Sequence, residues 1–331
     1  MRWFRLIALL AWAIAILNGC GGVARPQSAR TFAPYVEVSV AAEGLHSLAR
    51  EANARELTLA FVVSARRRCE AAWDDGSAIF TPAVRRVAAS ERLAVSFGGQ
   101  SGADLATWCR TPETLARRYW SVIAGLRARR ADFDIEGDAL LNHSAMDRRA
   151  RGIAELQARA RVTGRPLAVS LTLPVEPTGL PPQSRAALQT ALSAGVQVTK
   201  VNLLAMDYGA SRPATTPGTL GLDTIAAATA AARQLHRLLP RISRSEIWRM
   251  VGITTMIGRN DVTSEVFTTA DADEVLRFAR KTGIGLLSFW SLNRDHSCAT
   301  GGSAGTGARD DCSGVRQSPF EFTRLFERLG H

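Results

Sequence analysis

Past residue 30 the chain alternates short apolar runs with longer amphipathic stretches. Eight runs have strand length and composition: 34–40, 57–63, 93–98, 131–136, 166–173, 199–207, 250–256 and 284–290. The stretches between them carry helical spacing, as over 188–194 and 272–280. Their ends are marked as well. Thr111-Pro112-Glu113 offers an N-cap, a proline at the first helical position and an early acid. Gly195 and Gly283 stand just past two helical patterns, where a left-handed cap is expected. Eight strands alternating with eight helices predict an α/β fold, a single (β/α)8 TIM barrel over 31–331. A doubly wound open sheet is the rival, but no glycine-rich phosphate turn follows Val40.

The first twenty residues follow another pattern. Arg2 and Arg5 precede an almost unbroken apolar run over 6–17, which reads as a signal peptide over 1–20. The run is shorter than the ~20 residues of an ordinary membrane span. Leu17-Asn18-Gly19-Cys20 is similar to a bacterial lipobox, with Asn18 polar where the motif prefers a small or apolar residue. The expectation is an exported protein, secreted or anchored to the cell envelope by lipid at Cys20. Cys69, Cys109, Cys298 and Cys312 remain, an even number that suggests two disulfides in an oxidising compartment, with three pairings open. No Cys-x-x-Cys or His-x-x-x-His spacing suggests zinc, so no metal is expected there.

Composition adds limits. In 331 residues, 46% hydrophobic and 21% charged, there is material for a full core and no low-complexity bias. The formal charge is +11, and all but Lys200 and Lys281 of the 41 basic residues are arginine. They are scattered and accompany no recognition motif, so a nucleic-acid partner is not expected. The histidines His46, His143, His236, His296 and His331 form no triad or ligand spacing.

The chemistry lies in Asp132-Phe133-Asp134-Ile135-Glu136. Side chains alternate along a strand, so Asp132, Asp134 and Glu136 share one face and Phe133 and Ile135 the other. In a barrel, three carboxyls then rise inside towards the C-terminal rim, with the aromatic and aliphatic residues under the helices. So many like charges in confinement predict at least one protonated carboxyl, as a general acid requires. Asp-x-Asp-x-Glu could also hold a divalent cation through oxygen ligands.

This strand resembles the Asp-x-x-Asp-x-Asp-x-Glu strand of glycoside hydrolase family 18, with Arg129 in place of the most distal acid. Ser96-Phe97-Gly98-Gly99 is similar to the family's Ser-x-Gly-Gly, which would put Ser96, Gly98 and Gly99 near the ligand. Met206-Asp207-Tyr208-Gly209 resembles Met-x-Tyr-Asp, with Gly209 where the family has an acid. By alternation Asn202, Leu204, Met206 and Tyr208 share a face, and Asp207 opposes it. Trp290 matches the tryptophan that floors the sugar site. The segments over 256–261 and 291–295, with Cys298 and Cys312-Ser313-Gly314, are similar to a bacterial chitinase subgroup, in whose light the two disulfides are better supported.

The resemblance implies substrate-assisted retaining hydrolysis of β-1,4-linked N-acetylglucosamine polymers, without a cofactor, by a monomer. It implies Glu136 as acid and then base, Asp134 as the orienter of the acetamido group, and Asp132 sharing a proton with Asp134. Tyr208 would bond the acetamido carbonyl, and Trp290, Met206 and Asp207 would meet the sugar. Alternatives of the same fold are an inactive chitin-binding lectin, or a relative acting on peptidoglycan or N-glycans.

Overall fold

The computed structural model describes residues 30–41, 44–100, 103–212, 220–299 and 307–330. The apolar segment and Cys20 lie outside the described residues, as do Ser101, Gly102 and His331. Among the described residues no helix is long and apolar enough to cross a membrane.

The strands are β1 (Thr31–Phe32), β2 (Tyr35–Glu37), β3 (Glu56–Ser64), β4 (Ala71–Trp73), β5 (Arg92–Gly98), β6 (Arg130–Asp134), β7 (Ala168–Pro174), β8 (Lys200–Ala205), β9 (Val251–Met256), β10 (Gly258–Arg259), β11 (Val266–Phe267) and β12 (Leu286–Trp290). The helices are α1 (Val38–Ala41), α2 (Leu45–Ala52), α3 (Pro82–Ser90), α4 (Leu105–Trp108), α5 (Pro112–Gly125), α6 (His143–Val162), α7 (Pro182–Ser193), α8 (Leu220–Leu238), α9 (Arg244–Met250), α10 (Thr269–Thr282) and α11 (Glu321–Glu327). The main sheet runs β1-β12-β9-β8-β7-β6-β5-β3-β2, all neighbours parallel. β1 and β2 are two parts of one segment. Its start pairs with β12 (Thr31 with Leu286) and its end with β3 (Tyr35 with Thr58), so residues 31–37 join the two ends of the sheet into a barrel.

The barrel's polarity explains both the fold and the site. Leu57, Leu93, Val95, Phe97, Phe133, Leu171, Leu203, Ile253 and Phe289 are buried on the odd-numbered face, beneath the helices. Phe133 stacks on Phe97 at 5.4 Å and meets Tyr119 of α5 edge-on at 5.0 Å, the packing expected of that strand face. The even-numbered positions face inwards and are largely polar: Thr58, Ser96, Asp132, Ser170, Thr172, Asn202 and Thr254, all buried. A buried polar interior is stable only if internally hydrogen-bonded, and this one is densely connected.

Most expected elements stand within two residues of their positions. The run over 34–40 is the exception, because extended structure stops at Glu37 and α1 begins at Val38. The Asn293 amide takes both hydrogen bonds of the Glu37 backbone, receiving from its N–H at 2.9 Å and donating to its carbonyl at 3.0 Å. A side chain replaces the next strand residue, and the alternation of Val36, Val38 and Val40 continues into a helix. Thr111 accepts from the Thr114 N–H with Pro112 opening α5, and Gly195 and Gly283 take φ of 83° and 82°. The antiparallel strand β4 and the β10–β11 hairpin are additions that the apolar runs did not mark. The disulfides are Cys69–Cys109 and Cys298–Cys312.

Candidate active site

Strand register assembles the site. Asp132 stands between Ser96 on β5 and Ser170 on β7, and Asp134 between Gly98 and Thr172. The Asp132 carboxylate therefore accepts four hydroxyl hydrogen bonds: from Tyr35 at 2.8 Å, Ser96 at 2.7 Å, Thr172 at 2.7 Å and Ser170. Asn202 Nδ2 donates to Thr172 at 3.0 Å, to Thr254 at 2.7 Å and to the Tyr35 hydroxyl at 3.3 Å. Four donors fill a carboxylate's acceptor capacity, which leaves Asp132 no lone pair for a cation. Among the described residues no group of three or more His, Cys, Asp or Glu is arranged to hold a metal ion.

Above this layer the chemistry changes. Asp134 is buried and hydrogen-bonded to Glu136, and its Oδ1 has no partner. Burial, then the charges of Glu136 and Asp132, hold the Asp134 carboxyl well above its ordinary range. Glu136 is pushed up to about 7, by burial first and also by the charge of Asp207. Four hydroxyls already satisfy Asp132, which acts on Asp134 through its charge.

A cleft of about 560 Å³ opens over these groups at the C-terminal ends of the strands. Its lining includes Tyr35, Phe61, Asp134, Glu136, Met206, Asp207, Tyr208, Met256 and Trp290. Trp290 stacks on Phe61 at 5.2 Å and lies 6.2 Å from Tyr35, which gives the cleft an aromatic floor. Among the described residues, eight carboxyl groups border the cleft and no arginine or lysine does.

The other expected site residues take the following places. Ser96 is fully buried beneath the cleft as a donor to Asp132, and neither Gly98 nor Gly99 borders the cleft. Both glycines serve close packing within the protein. At φ 112° a side chain on Gly98 would stand 2.0 Å from the Asp134 carbonyl, and one on Gly99 would stand 2.7 Å from the Phe61 ring. The alternation also fails after Met206. β8 ends at Ala205, and Asp207 takes a left-handed φ of 48°. Asp207 thereby borders the cleft near Glu136, while the Tyr208 ring forms cleft wall and its hydroxyl is buried beside Thr224 of α8. Glu265 anchors this turn through the Tyr208 and Gly209 N–H groups at 3.1 and 2.8 Å. Tyr208 lines the cleft as expected, and its buried hydroxyl makes no hydrogen bond within the protein.

Tyr35, Ser170, Thr172 and Thr254 went unrecognised in the sequence. Their signal is a polar residue at the inward position of an otherwise apolar strand.

No protein-family model matches the chain. Among curated proteins it is similar to endochitinase 11 of Metarhizium anisopliae, 34% identical over 272 residues, 80% of this chain and 52% of that protein. It is also similar to the probable bifunctional chitinase/lysozyme of Escherichia coli (strain K12), 33% identical over 276 residues, 80% of this chain and 31% of that protein. The chain thus spans about half and about a third of these relatives. The catalytic domain of the hyperthermophilic chitinase from Pyrococcus furiosus matches with a TM-score of 0.76 and 29% identity, over 93% of this chain and 97% of that one. The chain is thus similar to chitinases in sequence and in fold. A family 18 chitinase from Pseudoalteromonas aurantia, at 17% identity and a TM-score of 0.56, covers 79% of this chitinase-like chain and agrees in fold.

Proposed function

We propose that the chain hydrolyses β-1,4-linked N-acetylglucosamine polymers, chitin first among them, by substrate-assisted retention. The observation that carries this reading is Asp134 Oδ1, buried at the base of the cleft beside Glu136 and without a hydrogen-bond partner. A sugar ring on the Trp290 floor would bring its acetamido N–H to that oxygen. The acetamido carbonyl oxygen then attacks the anomeric carbon while the C–O bond to the leaving sugar breaks and Glu136 delivers its proton to that oxygen. With that proton gone, the hydrogen-bonded Asp134–Glu136 pair carries a negative charge that offsets the positive charge of the oxazolinium ring. Water attacks the same carbon, Glu136 takes its proton and the ring reopens. Burial first, and then the charge of Asp207, raise Glu136 to about 7, and Met206, Tyr208 and Asp207 shape the wall against the sugar.

Product analysis on chito-oligosaccharides is the test. The β-anomer should appear first, and Glu136→Gln should bind substrate while losing turnover by at least ~10²-fold. Initial release of the α-anomer, or activity in Glu136→Gln, refutes the mechanism. The Escherichia coli relative has lysozyme in its name. Release of sugars from peptidoglycan and none from chito-oligosaccharides would therefore move the substrate while keeping the chemistry.

The two disulfides fit an oxidising compartment. The same proposal includes export, lipidation of Cys20 and action as a monomer. Mass spectrometry of the mature N-terminus and light scattering test these directly.

A further inference from the structure

At the opposite end of the barrel lies a second hollow, of about 750 Å³. The starts of β1, β5, β6, β7 and β8 line it, with the segment over 164–167 ahead of β7. Six cations surround it: Arg92, Arg127, Arg129, Arg130, Arg165 and Lys200. Among the described residues Glu56 is the one acid of the lining, and it is bound to Arg130 at 2.7 Å. Arg92, Arg127, Arg129 and Arg165 are exposed and make no ion pair among the described residues. Arg129 occupies the position where the family strand carries its most distal acid.

Two buried groups deepen the case. Arg130 is 7% exposed, lines the hollow, and its Nε has no hydrogen-bond partner. Lys200 is equally buried, and its ammonium donates to a neutral carbonyl, that of Arg249, at 2.6 Å. Converging cations in a concave wall focus a positive field and concentrate anions there. The chain also enters the barrel on this face, since Thr31 lines the hollow and Arg30 an adjoining one. The chain between Cys20 and Arg30 can span at most ~36 Å. A lipid or apolar anchor at the N-terminal segment would therefore hold this end of the barrel against the bilayer.

We propose that the basic hollow seats phosphate headgroups of an anionic lipid surface, so that the protein sits on the membrane with its catalytic cleft facing away. The proposal does not depend on the glycosidase reading. Arginine forks suit phosphate oxygens, and of the two buried cations Lys200 adds unpaired positive charge while Arg130, bound to Glu56, offers a free Nε–H donor.

Sedimentation of the full chain with vesicles of phosphatidylglycerol and phosphatidylcholine, against phosphatidylcholine alone, tests it. Any attachment through the N-terminal segment acts on both vesicles, so the preference for the anionic ones reports the hollow. Each cation near an anionic surface strengthens partition roughly fivefold, so Arg92→Gln, Arg129→Gln and Arg165→Gln together should reduce that preference on the order of a hundredfold. Arg86→Gln, Arg118→Gln and Arg233→Gln, on the flanks of α3, α5 and α8, change net charge equally and should leave most of it. Unchanged far-ultraviolet circular dichroism shows that both variants fold. Equal losses in the two variants would mean that net charge alone acts, and would overturn the proposal. No anionic preference in the wild type would overturn it too, including the case where inorganic phosphate stabilises the wild type against heat and not the first variant, which would assign the hollow to a small free anion.

Discussion

Replacing the acid should make the protein more stable while it stops turnover. Glu136 titrates at about 7 in the folded protein against an ordinary 4.5. Below pH 4.5 folded and unfolded chains both carry the proton, and the site costs nothing through this group. As pH rises from 4.5 through 7 the unfolded chain releases its proton first, so the folded state loses stability across that window. At 1.36 kcal/mol per pH unit the full loss is about 3 kcal/mol, complete near pH 8. Glu136→Gln removes the ionisation, and its amide oxygen still accepts from Asp134. Urea unfolding at pH 4 should therefore give similar stabilities for wild type and variant. At pH 8 the variant should be more stable by about 3 kcal/mol. Glu37, also raised to about 7 by burial and by Asp310 and Asp74, titrates in both proteins and cancels in the difference. A stability difference that is flat between pH 4 and 8, or a variant less stable at pH 8, refutes the account of the proton at this site.

The same proton sets the pH–rate profile. kcat/KM on chito-oligosaccharides should fall as pH rises through about 7, and a rate that is flat to pH 9 contradicts Glu136 as acid. Tyr35→Phe removes one of four hydroxyl donors to Asp132 and should cost about 1.5–3 kcal/mol in denaturant unfolding, with kcat reduced more than KM. An unchanged stability would show that this bond contributes nothing. Gly98→Ala, which forces a methyl group to 2.0 Å from the Asp134 carbonyl, should cost more than ~3 kcal/mol in the same assay. A near-wild-type Gly98→Ala would show that the backbone yields at that point.

What could be read from the sequence followed the strength of each local signal. The eight barrel strands were legible because their outward faces are continuous apolar rows such as Leu57-Leu59 and Leu171-Leu173. Asp132, Asp134 and Glu136 were legible because three acids at one parity in an apolar strand have few structural explanations. The hydroxyl cage was not, since Ser170, Thr172 and Thr254 are ordinary strand residues until register sets them beside Asp132. Parity failed at Asp207 for a backbone reason: one left-handed residue after β8 ends the alternation, and Gly209 follows at φ 52°. An acid therefore stands beside Glu136 although Gly209 replaces the acid of the family motif.

The formal charge of +11 conceals an arrangement that only the fold displays. Among the described residues, eight carboxyl groups and no cation border the cleft, while six cations and one acid line the opposite hollow. The first half of this separation follows from the chemistry of an acid that must keep its proton near neutrality. A guanidinium in the cleft would stabilise ionised Glu136 and strip the proton it has to deliver, whereas neighbouring carboxylates such as Asp207 do the reverse. Exclusion of arginine from the cleft is thus a condition of the proposed reaction. In a protein with so many arginines it leaves the positive charge on the flanks and at the base. Net charge named no partner because it sums two surfaces of opposite sign, each suited to a different neighbour.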